Sequence, residues 1–161
     1  MRSELVTYGL LIALAIGLLT AAFTDLRRRQ IDNWLNAAIA LAAPLFWWAS
    51  GLDLWPGVAW QFGVALLTFA ICAVLFAIRM MGGGDVKLLA ALALWIQPAH
   101  FAWLVVVMSL LGAVLTVAFA SWHIARRKPG RAAIPYGVAI CGAGLLTLAD
   151  KSLPLLQAQL G

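Results

Sequence analysis

The sequence predicts an all-α, polytopic membrane protein of about six transmembrane helices forming a single domain over residues 1–161, and three observations carry that expectation. The chain is 65% hydrophobic and only 11% charged, with a mean hydropathy of +0.99, which leaves too little polar surface to cover a water-soluble core. Its apolar residues fall into long runs separated by short polar or Pro/Gly punctuation, as in spans joined by tight connections. Nine of its eleven Lys and Arg residues collect in alternate connections, the bias that orients a multispanning chain.

The first helix is expected over Ser3–Thr24. Its apolar run has a weak basic start and is followed by Arg27, Arg28 and Arg29. A cleaved signal carries its positive charge in front of the apolar stretch, so this run reads as a retained span. Further helices are expected over Trp34–Ser50, Pro56–Ile78, Val86–Ile96, Ala99–Ala125 and Ile134–Leu148. The fourth is short for a span and is consistent by length with a re-entrant segment. Charge favours a crossing. If all six runs cross, the connections 25–33, 79–87 and 126–133 share one side and hold Arg27, Arg28, Arg29, Arg79, Lys87, Arg126, Arg127, Lys128 and Arg131, against only Arg2 and Lys151 opposite. Positive loops mark the cytoplasmic side, which puts both termini outside. A re-entrant fourth run would move the cluster from Arg126 to Arg131 outward. Trp34, Trp47, Trp48, Trp55, Trp95 and Trp122 fall near expected helix ends, where amphipathic rings anchor a protein at the interface.

The lipid bilayer is therefore the expected surroundings, and the formal charge of +5 is accounted for by orientation and attraction to anionic headgroups. No nucleic-acid surface is expected. Cys72 and Cys141 lie inside apolar runs without paired metal-ligand spacing, so neither a metal nor another cofactor is expected. His100 and His123 are isolated near opposite helix ends, and no Ser-His-Asp set shares a face of the membrane.

The acidic residues are more informative. Of six, Glu4, Asp53 and Asp150 fall on outward ends or connections, where a solvated carboxylate needs no special role. Asp25 follows the apolar run ending at Thr24, at the membrane boundary, with local pairing to Arg27–Arg29 as its plain alternative. Asp85 follows Gly82-Gly83-Gly84 and opens a helix. Three glycines permit close backbone approach, by a substrate strand or by another helix, whereas capping, the plain alternative for Asp85, does not require them. Asp25 and Asp85 share a depth in the bilayer, so helix packing can bring them together. Paired carboxylates sharing a proton are the equipment of aspartic proteolysis: the ionised member takes a proton from water and the neutral member polarises the scissile carbonyl.

Three stretches, in order, resemble the signatures of the type IV prepilin peptidases: Asp25-Leu-Arg-Arg-Arg-Gln-Ile31-Asp32-Asn33-Trp34-Leu35, then Gly82-Gly83-Gly84-Asp85-Val86-Lys87-Leu88, then Ile134-Pro135-Tyr136-Gly137-Val138-Ala139-Ile140. The similarity is greatest to the small members associated with Flp-type, or tight-adherence, pili. It implies a membrane aspartyl protease of the Gly-x-Gly-Asp kind in the bacterial inner membrane. Its substrate would be a prepilin, with a basic leader in the cytoplasm and an apolar segment in the bilayer, cut at the cytoplasmic boundary. Catalysis would fall to Asp25 and Asp85, with Gly82, Gly83 and Gly84 admitting an extended substrate. Lys87 is expected to orient or tune the site, beside its plain reading as a snorkelling cation. Pro135 and Tyr136 would shape its mouth.

Two departures stand out. Asp32 occupies a place where the family usually has proline, so it is a competitor for the partnership with Asp85. The cytoplasmic loop with paired Cys-x-x-Cys motifs found in longer members is missing, which implies peptidase activity without methyl transfer, zinc or S-adenosylmethionine. A small transporter or pilus-assembly scaffold is the rival from another class. It should place ionisable groups near the midplane or show an internal repeat, and neither is visible. Presenilin-type and archaeal preflagellin peptidases would share the aspartates and differ in substrate.

Overall fold

The computed structural model describes residues 2–126 and 134–160, with side chains over 4–126 and 134–150. These residues form six α-helices: α1 Arg2–Arg28, α2 Asn33–Ala49, α3 Ala59–Ala77, α4 Gly83–Ala93, α5 Pro98–Ala125 and α6 Tyr136–Leu160. A wide π-type turn over Leu54–Val58 leads into α3. The basic positions Arg127, Lys128 and Arg131 lie outside the described residues.

Three helical stretches are long and apolar enough to cross a bilayer: Glu4–Arg28, Leu54–Ala77 and Pro98–Ala125. Their outward faces carry Ile12, Leu19, Leu66, Leu110, Val114 and Val117, each more than half exposed. Such surface is unfavourable in water and ordinary in lipid, and the molecule is a membrane protein on that ground.

The short helix is the exception that organises the rest. At 11 residues, α4 rises only about 16 Å, against a hydrocarbon core of about 30 Å. It packs against α2, α3 and α6 and buries Val86, Leu88, Leu89, Ala91, Leu92 and Ala93. A short helix survives here because protein, rather than lipid, surrounds it.

Several helix ends depart from the sequence expectation, each for a local reason. Helix α1 continues four residues past Thr24 and takes Asp25 into its last turn. It stops where Arg29 adopts a left-handed φ of 54°. Helix α4 begins earlier than Val86: Gly82 is its N-cap in an extended conformation, and Gly83, Gly84 and Asp85 form its first turn. Asp85 is thus not the cap residue; its carboxylate reaches back to the Gly82 amide, as the third residue of a capping box does.

Trp95 is not an interfacial anchor. It is 3% exposed, stacks on Phe46 with ring centroids 5.0 Å apart, and donates from Nε1 to the Ile39 carbonyl at 2.8 Å. Trp47 ties the same region from the other side, donating to the Leu94 carbonyl at 2.7 Å. The two indoles fasten the far end of α4 to α2. The Leu94 oxygen, just past the end of α4, gains a partner this way in surroundings without water, while the Trp95 N–H is satisfied by a carbonyl of α2.

Candidate active site

The near end of α4 is fastened by backbone as well as by side chains. A Cβ on Gly84 would lie 3.2 Å from Cβ of Ile31 and 3.4 Å from its backbone N and O. The close approach that the glycine run permits is therefore made here by the chain's own α1–α2 turn. Gly83 meets the ring of Phe76 at 3.2 Å in the same construction. Asn36 donates from Nδ2 to the Gly84 carbonyl at 3.2 Å, and Lys87 donates from Nζ to Oδ1 of Asn33 at 2.8 Å.

These contacts bring Asp85 to the same end of the bundle as Asp25. Both line a polar cleft of about 330 Å³, together with Arg29, Gln30, Ile31, Asp32, Asn33 and the three glycines. The carboxylates are near enough for their charges to repel. Two carboxylates facing one cleft are the arrangement in which a single proton can be shared.

Asp25 is held from a third direction. It is 6% exposed and accepts from the backbone amides of Gly137 and Val138 in the first turn of α6, the Val138 amide being shared with the Pro135 carbonyl at 3.2 Å. Its Oδ2 is buried without a hydrogen-bond partner among the described residues. That oxygen is packed against Gly137, where an added Cβ would lie 2.7 Å from it. A turn further along α6, Cys141 is 1% exposed and sits within electrostatic range of both aspartates, forming part of the apolar backing of the pair.

The other residues singled out from sequence take distinct places. Asp32 is on the rim of the cleft, at the N-cap position of α2, and faces Arg28 across 3.4 Å. Arg27 lies over the ring of Phe23 at 4.5 Å, whereas Arg29 is the arginine whose charge acts on Asp25. Lys87 points toward α2 instead of into the aspartate cleft. Pro135 is buried just before α6. Tyr136 turns toward α5: its ring lies over Gly112 and its hydroxyl is 3.3 Å from that of Thr116.

Gly137, Val138, Asn33 and Asn36 had not been singled out. Gly137 and Val138 had a signal in the third signature stretch and Asn33 in the first, but Asn36 had only its polarity near the start of an apolar helix.

Apolar, membrane-type helices that present two carboxylates to one polar cleft define a class, membrane proteins with a paired-carboxylate cleft. Within that class, residues 12–117 match the type IV leader peptidase family, and the chain belongs to that family. No curated protein and no solved structure matches it. Family membership makes it a type IV leader peptidase-like protease.

Proposed function

We propose that the protein is an aspartic endopeptidase that removes the leader from type IV, Flp-type prepilins at the cytoplasmic face of the bacterial inner membrane. The observation that supports this reading is the shared cleft of Asp25 and Asp85. With one proton between them, the ionised carboxylate accepts a proton from water while the neutral one donates a hydrogen bond to the scissile carbonyl. The water oxygen adds to the carbonyl carbon. Collapse of the tetrahedral intermediate breaks the C–N bond, and the proton passes to the leaving amine. Both termini lie on the periplasmic side in this reading, following the positive charge near Arg27–Arg29.

Asp25 and Asp85 carry the chemistry, and Gly82, Gly83 and Gly84 shape the cleft. Lys87 acts at one remove by holding α4 against α2. Asp32, engaged with Arg28, takes no part in proton transfer.

Co-expression with a prepilin, read by the mobility of the pilin band, tests the assignment. Asp25→Asn and Asp85→Asn should each slow processing by about a thousandfold, the scale of losing a positioned acid or base. Asp32→Asn should process normally. Full processing by Asp25→Asn, with loss in Asp32→Asn, would transfer the role to Asp32. Full processing by Asp85→Asn would end the dyad mechanism.

A further inference from the structure

Beside the polar cleft runs a second depression of different character. It lies between α2, α3 and α4, has a volume of about 460 Å³, and is lined by small side chains such as Ala37, Ala40, Ala65 and Ala90 together with the larger apolar Phe62 and Phe69. Lys87 is the one charged residue among its described lining, and with Asn33 and Asn36 it makes a polar border. Asn33 also lines the aspartate cleft. The two depressions therefore meet at one residue, polar on one side and apolar on the other.

Asn36 adds an observation independent of shape. It is 4% exposed, and its Nδ2 is committed to the Gly84 carbonyl. Its Oδ1 is buried without a hydrogen-bond partner among the described residues. An unsatisfied acceptor in a low-dielectric setting is costly unless something donates to it, and the amide of an extended polypeptide is such a donor.

The geometry points to this groove as the seat of the substrate's apolar segment, with the chain unwinding at Asn33 and Asn36 so that the peptide bond next to that segment enters the aspartate cleft. This rests on the peptidase reading above. A peptide bond must reach water and carboxylates to be hydrolysed, while an apolar segment must not leave nonpolar surroundings. A groove continuous with the cleft meets both demands for a polypeptide that changes from polar to apolar close to its cut. Small residues let a helix backbone approach closely, and van der Waals packing of this kind holds helices together within lipid. Asn36 takes a substrate N–H released where the helix unwinds.

The test uses the full chain in lipid nanodiscs and two substrates: an intact prepilin, and a short peptide spanning its cleavage junction without the apolar segment. Ala37, exposed on the groove side of α2, is changed to Phe. Ala113→Phe, an exposed position on α5 away from the groove, is the control. Filling the groove should lower kcat/KM for the prepilin about tenfold more than for the short peptide, mainly through KM, while the control keeps the wild-type ratio. A photoreactive side chain at position 37 of the Asp85→Asn protein should crosslink purified prepilin within its apolar segment, and one at position 113 should not.

An unchanged substrate ratio in Ala37→Phe, with crosslinks only to lipid, would mean that an acyl chain occupies the groove and would overturn the proposal. An equal fall on both substrates would also count against it, because the damage would then lie in the aspartate cleft. Wild-type protein that cleaves neither substrate refutes the peptidase reading itself, an outcome distinct from either of these.

Discussion

A Cβ on Gly137 would lie 2.7 Å from Oδ2 of Asp25 and 2.8 Å from Cδ1 of Ile31, closer than nonbonded atoms approach. Either α6 would move or Asp25 would lose its two backbone donors. Gly137→Ala should therefore cut processing by roughly a hundredfold, as small displacements of positioned groups do, without changing any ionisable residue. A pilin-band assay, with detergent-solubilised yield as the measure of folding, checks it. At Gly82 the corresponding Cβ would meet only the Asp85 side chain, at 2.8 Å, and at Gly84 it would press on the backbone of Ile31. Gly84→Ala should accordingly lower both activity and thermal stability, because backbone cannot rotate away.

At the scale of elements, α4 depends on being fastened at both ends. Its near end is held by Gly84 against Ile31 and by Asn36 and Lys87 from α2; its far end is held by the indoles of Trp47 and Trp95. Trp95→Phe keeps most of the stack on Phe46 but removes the donor to Ile39. The expected loss is about 1 kcal/mol of stability, read as a lowered thermal midpoint in detergent. The consequence for chemistry is positional, since α4 carries Asp85 in its first turn. The helix boundaries follow the same logic: α1 runs on to Arg28 because nothing in Thr24-Asp25-Leu26 stops a helix, and it ends at the left-handed Arg29.

At the scale of the whole molecule, two consequences of the proposed mechanism are measurable. A pair that works with one shared proton loses its base when both carboxylates are protonated and its acid when both are ionised. Activity against pH should therefore be bell-shaped, and a flat profile between mildly acidic and mildly basic pH would remove the shared-proton step. The proposed orientation places the C-terminus in the periplasm. A C-terminal alkaline phosphatase fusion should then be active and a green fluorescent protein fusion dark; the reverse result would invert the topology.

Composition and run length alone determined that this chain belongs in a membrane and is helical, because the shortage of polar residues holds in any fold. Asp25, Asp85 and the glycine run were also legible, since carboxylates at the ends of apolar runs, and three consecutive glycines, are conspicuous without coordinates. Tertiary structure decided what holds them. Asp25 is anchored by amides more than a hundred positions away at Gly137 and Val138, and Trp95 is taken into the core by Ile39 and Phe46. The meeting of the polar cleft with the apolar groove at Asn33 was equally hidden. Each depends on which helix faces meet, and in a chain apolar on nearly every face the hydrophobic pattern does not say which face turns inward.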